Sequence, residues 1–136
     1  LRGLGFSHDA VEAALAEAVR LKLLDDRLYA RLWVEDRLLH HPLAREAVRR
    51  ELAEKGTAGE VIEETLAESY PPAKEKELAL SLAQERFEHH RGLDREARAR
   101  RTVSYLTRRG FPVALSSGIV RSLEKGREPD GDERRR

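Results

Sequence analysis

Apolar residues recur along this chain at steps of three and four, the spacing of one helix face, and strand-like alternation is nearly absent. Ala, Leu, Glu and Arg fill most intervals, which reads as an all-α protein. A short phrase closes three of the predicted helices: "LRGLGF" at the start, "LAEKGT" at 52–57 and "YLTRRGF" at 105–111. Each places a Leu four residues before a Gly. With Gly5, Gly56 and Gly110 just past a helix in the left-handed region, Leu1, Leu52 and Leu106 occupy the third position from the helix end. The residues after the glycines, Phe6, Thr57 and Phe111, then meet those leucines as the hydrophobic clasp of a Schellman ending, weakly for Thr57.

A new helix is predicted at once after each glycine. Ser7 caps the first, with Asp9 in its opening turn. Thr57 and Glu60 spell a capping box for the second, and Pro112 suits the first turn of the third. Leu15, Leu66 and Val120 each follow their glycine by ten residues, and the glycines lie 51 and 54 residues apart. A helix–Gly–helix unit is thus expected three times.

Longer helices are predicted between these units. One covers 23–41, starting at Asp25 or Asp26; the other covers 72–92, after the Pro71-Pro72 break. The first carries Leu28, Tyr29, Leu32, Trp33 and Leu39 on a broad arc, with Ala30, Val34 and Leu38 opposite, the pattern of a helix buried between layers. It should therefore be the best-protected element. The expected organisation is the remainder of a first three-helix repeat at 1–23, a second repeat at 24–70, a third at 71–126 and a disordered tail at 127–136. Units of roughly 50 residues bury little apolar surface alone, so they should stack into an elongated, curved body.

Composition narrows the function more than it names one. The chain has 136 residues, 26 basic and 25 acidic, for a net charge of +1, which announces neither a nucleic-acid nor a membrane partner. There is no cysteine, hence no disulfide, thiolate metal site or Cys nucleophile. No apolar run approaches the ~20 residues needed to span a bilayer, and no secretory leader is visible, so a cytoplasmic protein is expected. The chain begins without Met and reads as a fragment or processed product. Arg outnumbers Lys 21 to 5, and Arg is the better residue for binding carboxylate and phosphate.

Four stretches carry a family resemblance: "GFSHDAVEAAL", "LLDDRLYARLWVEDR", "VRRELAEKG" and "YLTRRGF". In this order and spacing, over about residues 1–124, the chain resembles the RecX family, bacterial regulators of the recombinase RecA. The resemblance implies tandem three-helix repeats acting on RecA filaments. It also has departures: Ala44 stands where the family usually has Gly, Thr57 where it usually has an apolar residue, and the first helix of the first repeat is missing.

Candidate chemistry is sparse. His40-His41 and His89-His90 are adjacent pairs pointing about 100° apart, unlike metal ligands at i and i+4. Asp25-Asp26 reads as capping, Gly3-Leu4-Gly5 follows no strand, and no serine sits in a nucleophile elbow. No enzyme, metal or cofactor is expected. Charge segregation is the informative signal. Residues 91–109 hold seven Arg against Asp94 and Glu96, a balance of +5, whereas 60–77 carry −4. Arg98, Arg101, Tyr105 and Arg108 share a helix side with Arg109 beside it, a candidate surface for a phosphate backbone or an acidic protein groove. Arg45 and Arg49, one turn apart, form a second candidate. A solvated helix face competes with both and is what the residues alone favour, since charge runs are usually solvated; the resemblance to the RecX family brings the two readings level. With the resemblance, the expectation is a monomeric, non-catalytic inhibitor of the RecA filament on single-stranded DNA; the alternative is a helical module that binds nucleic acid directly.

Overall fold

The computed structural model describes residues 7–126. Among them are six α-helices and no strands: α1 His8–Leu39, α2 Arg45–Glu54, α3 Gly59–Ser69, α4 Pro72–His89, α5 Arg95–Arg108 and α6 Val113–Glu124. The first helix packs on α2 and α3, and α4 packs on α5 and α6.

The same corner joins the short helices of both groups. Gly56 has φ 88° and Gly110 has φ 94°. After α2, Thr57 N donates to Leu52 O at 3.1 Å and Gly56 N to Ala53 O at 3.0 Å. After α5, Phe111 N donates to Leu106 O at 3.2 Å and Gly110 N to Thr107 O at 3.0 Å. Both are complete Schellman endings, which satisfy carbonyls the helices leave unpaired. Leu52, Leu106 and Phe111 are buried. The corner expected at Gly5, with its Leu1–Phe6 clasp, and the tail at 127–136 lie outside the described residues.

Several local expectations are corrected. No helix starts at Asp25 or Asp26: α1 is continuous for 32 residues, capped by Ser7, whose Oγ accepts from Ala10 N. Its whole length contains neither Gly nor Pro. Two interior Asp cost at most about 0.7 kcal/mol each, too little to end it. The expected boundary at residue 23 therefore falls inside a helix. Leu15 is 57% exposed, so it is no counterpart of buried Leu66 and Val120.

The broad arc of α1 is also not buried between layers. Leu28, Tyr29, Leu32 and Leu39 are 42–74% exposed, whereas Ala30 and Val34 are fully buried, with Trp33 and Leu38 in part. Among the described residues, α2 and α3 pack on its Ala30–Val34 side, where small side chains let them approach. The Thr57–Glu60 capping box does not form. Thr57 is buried as the last residue of the Schellman turn, so α3 begins at Gly59 with Ala58 as its cap. Pro112 precedes the first turn of α6 rather than lying within it. Thr102 and Leu106 are the buried positions of α5, with Ala99 and Val103 half-buried.

Two apolar clusters result. Ala30, Val34, Val48, Leu52, Val61, Ile62, Leu66 and Tyr70 fill the space between α1, α2 and α3. Ala79, Leu82, Ala83, Leu106, Phe111 and Ile119 fill that between α4, α5 and α6, and Ala44 joins them from the other group. Each fully buried Leu is worth roughly 1.5–3 kcal/mol over an exposed one.

The seam between the groups is polar and closely fitted. Ala44 N donates to Arg109 O at 2.9 Å, and Arg109 Nη1 to Pro42 O at 2.9 Å. Within the first group, Tyr70 Oη donates to Leu43 O at 2.7 Å, and burial holds the pKa of this phenol well above its ordinary value. Arg45 N reaches Glu75 Oε2 at 2.9 Å and its Nε reaches Tyr70 O at 2.6 Å. A Cβ on Gly110 would lie 3.1 Å from Ala47 Cβ, so the two groups meet across a bare glycine. These contacts fix how the α4–α5 surface is presented.

Candidate functional site

The arginines divide into those with carboxylate partners and those without. In the first group of helices the charges pair across elements. Arg27 bonds Glu64, Arg37 bonds Glu51 and Asp36, and Arg49 bonds Glu63 and Glu46. Glu51 is the most connected acid, accepting from Arg37 Nε at 2.9 Å and Trp33 Nε1 at 2.8 Å. Burial alone would raise its carboxyl, but the hydrogen bonds from Arg37 and Trp33 outweigh that and hold it below its ordinary value. The Trp33 ring lies against two cations, Arg37 at 4.5 Å and Lys55 Nζ at 4.9 Å from its centroid.

Three of the arginines singled out from sequence are engaged inside the fold. Arg45 ties α2 to Tyr70 and Glu75, as above. Arg49 is held by two carboxylates, Glu63 foremost, which raise its guanidinium above the ordinary value. Arg98 lies 3.6 Å over the Phe87 ring and donates from Nε to Phe87 O at 2.8 Å. It lines a depression with Phe87, Arg95 and Glu124, apart from the other candidates.

The other four, Arg101, Tyr105, Arg108 and Arg109, come together, and α4 adds Arg86 and His90. Arg86, His90, Arg101, Ser104, Tyr105 and Arg108 line a cleft of about 280 Å³ between α4 and α5. A second hollow of about 430 Å³ adjoins it, lined by Leu43, Arg86, Tyr105, Arg108 and Arg109. Tyr105 is half-buried at the junction, not exposed as its spacing suggests. Arg86 lies 4.3 Å and Arg109 4.7 Å from its ring centroid. Arg108 Nη1 donates to Ser104 Oγ at 2.6 Å, which steers that guanidinium along the helix surface.

Among the described residues, no carboxylate pairs with Arg86, Arg101, Arg108 or Arg109. Burial and the surrounding cations, His89, Arg101, Arg86 and Arg98, hold the His90 imidazole below its ordinary value of 6.5. Arg86 and His90 escaped the sequence reading because they sit on another helix; their only signal is that they are four apart and share a face of α4. Arg86, Arg101 and Arg108 line the cleft without a carboxylate on their guanidiniums, so this cluster suits oxyanions. No His, Asp and Glu group of three or more that could hold a metal occurs among the described residues, and none of their helices is long and apolar enough to cross a membrane.

Comparison with known proteins agrees on one family. Residues 25–66 match the family described as RecX, second three-helix domain. The chain is 32% identical to the regulatory protein RecX of Streptomyces coelicolor over 137 residues, covering 98% of this chain and 72% of that protein. It is 31% identical to the RecX of Thermobifida fusca over 121 residues, covering 89% of this chain and 65% of the relative. The crystal structure of RecX from Lactobacillus salivarius superposes with a TM-score of 0.67 at 18% identity, over 91% of this chain and 80% of that one. A second crystal structure, of a regulatory protein RecX, gives a TM-score of 0.60 at 25% identity, over 85% and 57%.

Proposed function

This chain belongs to the RecX family of regulatory proteins, and from that premise we propose that it binds RecA filaments on single-stranded DNA and restrains them. The restraint works by hindering filament growth or favouring disassembly, without chemistry of its own. Residues 24–70 and 71–126 act as two helical bricks, and the α4–α5 cluster of Arg101, Tyr105, Arg108 and Arg109, with Arg86, is the contact surface. One observation carries this reading: four guanidinium groups converge on one face with no carboxylate partner, whereas elsewhere arginines such as Arg27, Arg37 and Arg49 are neutralised within the fold. Seam contacts at Arg109, Ala44 and Arg45 support a surface of fixed shape, which a repeating filament groove requires.

The test is cosedimentation with RecA on single-stranded DNA, together with RecA-dependent ATP hydrolysis. Added protein should pellet with the filament and slow hydrolysis, and the pair Arg101→Glu and Arg108→Glu should abolish both while leaving helicity unchanged. Unchanged hydrolysis and no cosedimentation of the parent protein would reject the reading.

A second reading, direct binding to nucleic acid with RecA incidental, is favoured by the same unpaired cluster. If four guanidinium groups meet the phosphates of a single strand, log K should fall against log salt with a slope of about −3. Binding to naked strands as tight as to filaments would favour this option.

A further inference from the structure

Three of the four arginines without carboxylate partners line the cleft, and its inventory specifies more than positive charge. Arg86, Arg101 and Arg108 reach it from two helices, and Ser104 sits between them with its Oγ accepting from Arg108. One carboxylate is satisfied by a single guanidinium fork, whereas three guanidiniums around one cleft match the several oxygens of a phosphate. The adjoining hollow shares Arg86, Tyr105 and Arg108 with the cleft and adds Arg109. Two contiguous cationic positions suit consecutive phosphates of a polymer better than a single free ion. The Tyr105 ring, engaged by Arg86 and Arg109 at 4.3 and 4.7 Å, is committed to cations rather than open to a stacked base. Single-strand binders that read bases use such rings as platforms; this one instead holds guanidiniums in place.

We infer that the cleft between α4 and α5 seats the phosphodiester backbone of a nucleic acid without reading its bases, with Arg86, Arg101 and Arg108 as donors and His90 as a further donor once protonated. The inference rests on the reading of this face as the contact surface and specifies what that surface grips. His90 couples it to pH. Partial burial and the cations that face it, His89 and Arg86 from α4 with Arg98 and Arg101 from α5, favour the neutral imidazole. A phosphate in the cleft offsets that repulsion and favours the imidazolium. Binding therefore takes up a proton. Affinity must rise as pH falls through the range between the imidazole's depressed free value and its higher bound value, by up to about tenfold per pH unit for one proton.

The experiment measures fluorescence anisotropy of the protein alone with two labelled strands of equal length, oligo-dT and a fully abasic strand, at constant ionic strength from about pH 5.5 to about pH 8. The two strands should bind equally within about threefold, since base stacking would add ~1–3 kcal/mol per base. Arg101→Gln and Arg108→Gln should each weaken both strands about fivefold to twentyfold, as loss of a charge-assisted hydrogen bond does. His90→Gln should flatten the pH dependence. Inorganic tripolyphosphate should compete only weakly; competition as strong as the strands' own binding would make this a site for free phosphates and overturn the backbone assignment. Binding of oligo-dT without the abasic strand would overturn the inference, as would indifference to Arg101 and Arg108. A pH slope that survives His90→Gln would remove His90 from it. If neither strand binds while the parent still cosediments with RecA filaments in an Arg101-dependent way, the cleft grips acidic protein, and this inference falls while the functional reading stands. If the abasic strand binds while filaments are ignored, the inference holds and the functional reading falls.

Discussion

Replacing Gly110 with alanine, beside the same change at Gly56, separates two reasons for a glycine. Both residues have positive φ, 88° at Gly56 and 94° at Gly110. An L-residue in that region costs roughly 1–2 kcal/mol, so this part of the penalty should be common to both. The surroundings differ. A Cβ at Gly56 meets nothing within 4 Å, whereas at Gly110 it would sit 3.1 Å from Ala47 Cβ and 3.5 Å from Ala44 Cβ. Ala44 is fully buried and its N–H is bonded to Arg109 O, so the seam yields only by straining that bond. Overpacking of this kind costs about 1–3 kcal/mol. Gly56→Ala should therefore lose about 1–2 kcal/mol and Gly110→Ala about 2–5 kcal/mol. Urea unfolding followed by far-UV circular dichroism reads both. A double-mutant cycle with Ala47→Gly isolates the contact. Alone, that change costs about 1 kcal/mol as a mid-helix glycine; in the Gly110→Ala background it also removes the clash, so the double variant should exceed additivity by roughly 1–2 kcal/mol. Equal losses at the two glycines, with an additive cycle, would refute a seam set by close approach.

Truncation distinguishes the two faces of α1: Val34→Ala should cost about 1–3 kcal/mol, while Leu28→Ala and Leu32→Ala should each stay within about 0.5 kcal/mol; chemical denaturation compares them, and a costly Leu32→Ala would mean the arc is covered. Glu51→Ala leaves the Trp33 N–H without its acceptor and Arg37 with Asp36 alone, for a loss of about 1–2 kcal/mol after allowance for partial exposure. Since the Glu51 carboxyl is held below its ordinary 4.5 in the folded chain, its contribution is present above that value and disappears as pH falls through the lower folded one. Glu51→Gln should accordingly flatten the acid limb of a stability–pH curve, and an unchanged limb would contradict the assignment. Asp94 caps α5 by accepting from Ala97 N at 2.8 Å, so Asp94→Ala should cost about 1 kcal/mol in the same denaturation assay.

What could be read from sequence follows from how local each determinant is. Gly56 and Gly110 were legible because a positive φ restricts residue type, and because the two clasp residues that bracket each lie only five positions apart. Continuity of α1 was not. An Asp at a helix start and an Asp inside a helix look alike, and the outcome depends on the breaker-free stretch before it. The exposed arc of Leu28, Leu32 and Leu39 shows the related gap: periodicity reveals that a helix has apolar faces, not which face finds a neighbour. Grouping of Arg101, Tyr105 and Arg108 needed only the spacing within α5. Arg86 and His90 required the packing of α4 on α5, which no local pattern relates. The diversion of Arg45, Arg49 and Arg98 depends on partners 11 to 30 residues away in sequence.

A chain with a net charge of +1 can still present a strongly cationic face, because the fold decides which charges cancel. Around α2 and α3 the acids stand where arginines can reach them, and those arginines brace the helices. Around α4 and α5, beside the exposed Arg91–Glu88 and Arg95–Glu124 pairs, other means hold the cations: a guanidinium against Phe87 and its carbonyl, two more against Tyr105, a hydroxyl at Ser104. A cation held by a ring or a carbonyl leaves its charge uncompensated, whereas one held by a carboxylate has it offset by its partner. Arg109 joins both roles, since it straps α5 to Pro42 across the seam and lies over Tyr105 beside the cleft. Its removal would perturb the alignment of the two helix groups and the charge of the face together. Arg101 and Arg108 are exposed and bear no part of the seam, so they are the positions at which loss of binding reports the surface alone.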